Sequence, residues 1–123
     1  MAGEGFPKAF KFTGPVGIPV FRDIEEDTDP GNVKKVFEED VPSGKTWTLW
    51  QFLASTNVSA IIKIYADSQL LGTRRTAPGK PDADFSWLPG RPIGGGVTIK
   101  VEVETRPTPA AAAFEGHLQA TQT

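Results

Sequence analysis

Residues Val97-Thr98-Ile99-Lys100-Val101-Glu102-Val103-Glu104 alternate strictly between β-branched apolar and polar side chains. Side chains along a strand point to opposite faces in turn, so this period of two predicts a half-buried strand. Val97, Ile99, Val101 and Val103 face a core; Thr98, Lys100, Glu102 and Glu104 face solvent. A second alternating run, Thr46 to Leu53, leaves a turn at Val41-Pro42-Ser43-Gly44-Lys45. By parity Trp47, Leu49 and Leu53 belong to the core side, and Trp50 and Phe52 to the other. Ser59 to Ala66 sets Ala60, Ile62 and Ile64 on one face and Ile61, Lys63 and Tyr65 on the other.

Turn chemistry separates further strands. Val33 to Glu38 is a short first strand. Asp67-Ser68-Gln69 reverses the chain, and Leu70 to Thr76 returns antiparallel. Ala83 to Trp87 is a strand, Leu88 to Gly96 a loop, and Ala112 to Thr121 a final strand. Glycine (13) and proline (11) fall between the apolar runs. This pattern predicts an all-β chain, an antiparallel β-sandwich of jelly-roll type. Trp47, Leu49, Ile62, Ile64, Val97, Ile99, Val101 and Val103 are its expected core.

Residues 1–32 read differently. Pro7, Pro15, Pro19 and Pro30 suit an extended arm better than a central strand. Yet Phe6, Phe10, Phe12, Val16, Ile18, Val20, Phe21 and Ile24 are too apolar to leave in water. The expected division is an extended arm over 1–32 and a sandwich domain over 33–123. These side chains must cover this domain's own sheet, a neighbouring copy or another protein, and the arm is expected to dock on a neighbouring subunit or another protein. Phe6, Phe10, Phe12, Ile18, Val20 and Phe21 are its interface candidates, joined by Arg74 and Arg75.

The 123 residues suffice for one domain. A net charge of −2 argues against general nucleic-acid binding, which rests on clustered Lys and Arg. With no cysteine, neither disulfides nor thiolate metal sites can form. No run approaches the ~20 apolar residues of a membrane helix. Met1-Ala2-Gly3-Glu4-Gly5 lacks the basic and apolar regions of a signal peptide, so synthesis in a cytoplasm is expected.

Chemistry-bearing groups are sparse. His117 is the sole histidine, and a catalytic triad or histidine metal site needs partners around it. It reads as an ordinary strand histidine. Asp23, Glu25, Glu26, Asp27 and Asp29 could offer oxygens to calcium. A calcium loop begun at Asp27, however, puts Gly31 and Asn32 in the wrong order and lacks flanking helices. The stretch reads as a solvated acidic loop, or one facing a basic partner. Gly94-Gly95-Gly96 opens a strand rather than a helix and reads as a turn. The pairs Asp82/Asp84 and Glu102/Glu104 read as solvent faces, not as acid–base couples. Trp50 or Trp87 could form a sugar platform, or an interface. Neither a catalytic centre, a cofactor nor a metal is expected.

Val41-Pro42-Ser43-Gly44-Lys45-Thr46-Trp47-Thr48-Leu49 is followed by Ile61, Lys63, Tyr65, Asp67, Leu70 and Leu71, and then by Val97, Ile99, Val101 and Val103. This series resembles small β-sandwich proteins of tailed bacteriophage particles, over roughly Val41 to Thr105. That group includes head decoration (cement) proteins, head fibres and tail receptor-binding domains. The resemblance implies a non-catalytic virion part, with a capsid decoration protein as the first expectation. It implies a place on the capsid surface, with the major capsid protein and other copies of itself as partners and a trimer as the assembly. A carbohydrate- or receptor-binding module of a tail or fibre is the alternative.

Overall fold

The computed structural model describes residues 17–107 and 110–123. The described residues form eight strands: β1 (Ile18–Asp27), β2 (Val33–Asp40), β3 (Thr46–Ser55), β4 (Ala60–Ala66), β5 (Gln69–Thr76), β6 (Asp82–Gly94), β7 (Thr98–Thr105) and β8 (Ala113–Gln122). They form two four-stranded sheets, in the orders β1-β8-β3-β6 and β2-β7-β4-β5. All neighbours are antiparallel. Only β4 and β5 are joined as a hairpin within one sheet; every other connection crosses to the opposite sheet. Strands pair first with last, second with second-last and so inward, as if one long hairpin had been rolled up. This is a jelly roll, the sandwich expected from the sequence.

The tip of the roll is a two-residue turn at Asp67-Ser68. Asp67 sits at φ 53°, a left-handed conformation that Asp tolerates better than most residues. Its carboxylate Oδ1 accepts a hydrogen bond from the Thr98 amide at 3.0 Å, and its own amide donates to the Thr98 carbonyl at 2.7 Å. The hairpin is thereby tied to the start of β7.

The core lies between the sheets. Trp47, Leu49, Phe52, Ile62, Ile64, Phe85, Ile99, Val101, Val103, Phe114 and Leu118 are fully buried. Val97 is half-buried against them, so the core expected from the sequence is present. Alternation puts each residue there, except on β3. Along β3, Leu49 pairs with Ala120 of β8 and Gln51 with Gln119, leaving Trp50 as one extra residue. A bulge of this kind shifts the alternation by one place. Phe52 and Ala54 are consequently buried and Leu53 is 38% exposed. The expectation that Leu53 faces the core and Phe52 faces out is thus reversed.

Phe52 fills space that β8 vacates. A methyl group on Gly116 would lie 2.9 Å from two Phe52 ring carbons. Phe85 similarly occupies the space above Gly72, where a Cβ would meet its ring at 2.9 Å. The two rings pack at 5.6 Å between centroids.

Three further expectations need correction. The arm does not extend to residue 32: β1 is a strand of the sandwich, paired along its length with β8. Val20 and Ile24 are buried in this chain's own core, because alternation on β1 sends them inward. Val20 is therefore a core residue and not an interface residue, and a truncation through residue 21 would remove part of the sandwich. Second, Asp23, Glu25 and Asp27 lie on this strand rather than in a loop. Third, Leu88 to Gly94 is no loop, since β6 continues to Gly94 and pairs with β3 on both sides of the bulge. The four residues Trp87 to Gly90 stand opposite Trp50 between the paired segments Ser86↔Gln51 and Arg91↔Leu49. Proline at 89 and 92 is tolerated because β6 is an edge strand.

Gly116→Ala should cost about 1–3 kcal/mol through overpacking against Phe52. Urea denaturation should show a lower midpoint at an unchanged slope. An unaltered midpoint would mean that the Phe52 ring is free to move aside.

Candidate interaction surface

Each sheet has one face in the core and one face outward, and the two outer faces differ. On the β2-β7-β4-β5 sheet, the outward positions carry Lys35, Lys63, Lys100 and Arg75 against Glu38, Asp40, Glu102 and Glu104. Opposite charges stand beside each other across strands, Lys35 beside Glu102 and Glu38 beside Lys100. Glu102 also stands beside Lys63 of β4. Lys100 Nζ lies 3.4 Å from Glu102 and 4.9 Å from the centre of the Tyr65 ring. Such laddered pairs stabilise a solvated sheet face.

The outer face of β1-β8-β3-β6 has another character. Its rows follow from the register. Pro19, Thr121, Thr48 and Pro92 form one row; Phe21, Gln119, Gln51 and Ser86 the next. Asp23, His117, Leu53 and Asp84 come third, and Glu25, Glu115, Ser55 and Asp82 fourth. Asp27 lies beyond them opposite Ala113. Six carboxylates share this face, and no outward position of the four strands is Lys or Arg. Among them stand Phe21, 63% exposed, and Leu53. Trp50 is half-buried, its indole N–H donating to Thr121 Oγ1 at 3.1 Å. Gly17, Pro19, Phe21, Trp50, Gln119 and Thr121 line an apolar depression of about 240 Å³ at the end where the chain enters β1.

His117 does not stand alone on this face: its Nδ1 lies 2.7 Å from Asp23 Oδ1. Asp84 accepts from Ser86 Oγ at 3.1 Å and from Gln51 Nε2 at 3.3 Å. Leu53, Ser55, Asp82, Asp84, Glu115 and His117 line a second, open depression of about 370 Å³. The His117 imidazole faces the Asp23 carboxylate, and the Ser86 hydroxyl donates to the Asp84 carboxylate and not to the imidazole. Among the described residues, no group of three His, Asp or Glu side chains is placed to hold a metal ion.

The two arginine candidates separate. Arg75 points outward beside Ile61. Arg74 turns inward at the edge, where its Nε donates to the Asp84 carbonyl at 3.0 Å and its guanidinium lies 5.0 Å from the Phe85 ring centre. Arg74 thus closes one open side of the sandwich between β5 and β6, so it is held within its own chain. Arg22 closes the other side. Its Nε and Nη2 donate to the two Glu39 oxygens at 2.7 and 2.9 Å, and the guanidinium lies 5.3 Å from the Trp47 ring centre. The hydrogen bond to Glu39 is the main cause of a raised Arg22 pKa, with desolvation opposing it. A raised value in the folded state adds stability that is fully present below the unfolded pKa and fades only as pH climbs through the folded one. The clamp is therefore insensitive to pH around neutrality.

Of the remaining candidates, Ile18 and Phe21 are exposed on the surface of this chain. Phe6, Phe10 and Phe12 lie outside the described residues. Trp47 is buried, and Trp87 stacks on Phe85 at 6.3 Å, so the three tryptophans form no row of exposed rings. Sequence reading missed the acidic face. Its carboxylates come from β1, β6 and β8, and only the sheet order brings these strands together.

No family model matches the chain, and no curated protein matches it in sequence. Among solved structures, it is similar to infectious bursal disease virus of the Gx strain, at 14% identity over 85% of this chain with a TM-score of 0.41. The Gt strain matches at 15% identity over 85% with a TM-score of 0.42. The VP2 subviral particle of that virus matches at 14% identity over 84% with a TM-score of 0.41. The chain spans about a third of the length of each of these viral chains, 32% and 33% respectively for the first two.

Glu39→Gln should lower stability by no more than about 1 kcal/mol, since both partners of the clamp remain partly solvated. The loss, followed by thermal unfolding, should shrink as salt is added. A loss that does not respond to salt would assign the effect to packing on Trp47.

Proposed function

We propose that this protein is a non-catalytic structural part of a virus particle, a bacteriophage capsid decoration protein that braces the assembled head. The observation that carries this reading is the contrast between its outer faces. One is charge-balanced across its strands and also exposes Val33 and Leu70. The other combines six like charges with exposed Phe21 and Leu53, a combination that costs free energy until a protein surface covers it. A rigid block with one such face is built to be docked. The resemblance of Val41 to Thr105 to phage particle proteins supports the placement on a head, and jelly rolls recur in capsid proteins. Fold alone does not give function; the face supplies the physical argument. Its partners are other copies of this chain and the major capsid protein, and the surface of the capsid is its place.

Particles assembled with and without this chain should differ in electron microscopy by density at symmetric positions on the shell. The decorated particles should release their contents at a higher temperature. Equal thermal release and no added density on the head would overturn the reading. Density confined to the tail would favour a receptor-binding module instead.

A further inference from the structure

We propose that the acidic outer face of β1-β8-β3-β6 is the docking site for residues Phe6 to Phe12 of a second copy of this chain. The inference rests on the structural role proposed above and names the partner of that face. Phe6-Pro7-Lys8-Ala9-Phe10-Lys11-Phe12 interleaves three aromatic rings with two lysines and carries no acid. The face offers the complement. Asp23, Asp84, Glu25, Glu115 and Asp82 form its two acidic rows, with no outward Lys or Arg among them and His117 beside Asp23. Phe21, Trp50 and Pro19 line an apolar depression beside them. Charge of opposite sign sets the register and steers the encounter, while the rings supply buried area.

The length of chain before β1 lets the segment reach a neighbour. Gly17 leads into β1 at the outer edge of the sheet, with its position fixed against the Gln122 carbonyl, which a Cβ would strike. Sixteen residues can span about 50 Å, against roughly 33 Å for a ten-residue strand. The segment is thus long enough to cross a neighbour's face. Because the arm of one copy meets the face of the next, the contact is heterologous, and it closes into a ring when the rotation permits.

Sedimentation velocity on the purified full-length chain, without particles, tests this. The chain should assemble at low salt and dissociate as salt rises. Lys8→Glu with Lys11→Glu should weaken assembly about tenfold or more, and Glu25→Lys with Asp82→Lys should do the same. All four changes combined in one chain restore opposite signs and should restore assembly. Circular dichroism should show an unchanged fold in each; if the Glu25/Asp82 variant fails to fold, the Lys8/Lys11 variant and the salt series still decide the matter. A full-length chain that stays monomeric overturns the proposal, because the segment then binds its own copy or another protein. Assembly indifferent to the lysine changes also overturns it. Particle decoration is read in a different experiment, so a monomer that still decorates heads refutes this contact and leaves the structural role standing.

Discussion

The extra residue at Trp50 decides which way the longest aromatic strand faces. Up to Leu49, β3 sends its odd-numbered residues inward; beyond the bulge, Phe52 and Ala54 take that place. Without the slip, Phe52 would stand in solvent and Leu53 would press on Gly116. With it, the Phe52 ring enters the space that Gly116 leaves open and meets Phe85. The same slip pushes Trp50 and Gln51 to the outer side together. The burial of Phe52 and the exposure of Leu53 are therefore consequences of one backbone irregularity.

That irregularity also shapes the neighbouring strand. β6 carries four residues, Trp87 to Gly90, opposite the single Trp50. Gly90 sits at φ 108°, and a Cβ there would meet the Thr48 methyl at 2.7 Å and the Trp50 ring at 2.9 Å. A glycine is required on both counts. The indole is held between this glycine and Thr121, which accepts its N–H. Trp50 is accordingly a fixed wall of the outer face rather than a free aromatic side chain, and a fixed wall loses little entropy when a partner docks.

The two arginines give the sandwich a further symmetry. Arg22 spans from β1 to Glu39 on β2, and Arg74 spans from β5 to the β6 backbone. Each covers an aromatic ring of the core, Trp47 or Phe85. Long amphipathic side chains suit these positions because the stem covers apolar surface while the charged head keeps contact with water. With Arg22 and Arg74 at the edges and Lys35, Lys63, Arg75 and Lys100 on the opposite sheet, no outward position of β1-β8-β3-β6 is Lys or Arg. Its acids then act as one field instead of being neutralised in pairs, as they are on the opposite sheet.

Strict alternation determined much of this protein from the sequence alone. It placed Ile62 and Ile64 on β4, and Ile99, Val101 and Val103 on β7, in the core of an antiparallel sandwich, because a strand with one buried face must repeat every two residues. Local pattern failed wherever a long-range partner decided the outcome. Proline and glycine made residues 18–27 read as arm, yet they form a strand because β8 is there to pair with them. Leu88 to Gly94 read as loop for the same reason, and β3 supplied the partner. No window of sequence announces an extra residue at Trp50, since a bulge is defined only against the strand beside it. The acidic face was equally hidden. Its carboxylates are as far apart in the chain as Asp23 and Glu115, and only the jelly-roll order, which lays the first strand beside the last, makes them neighbours.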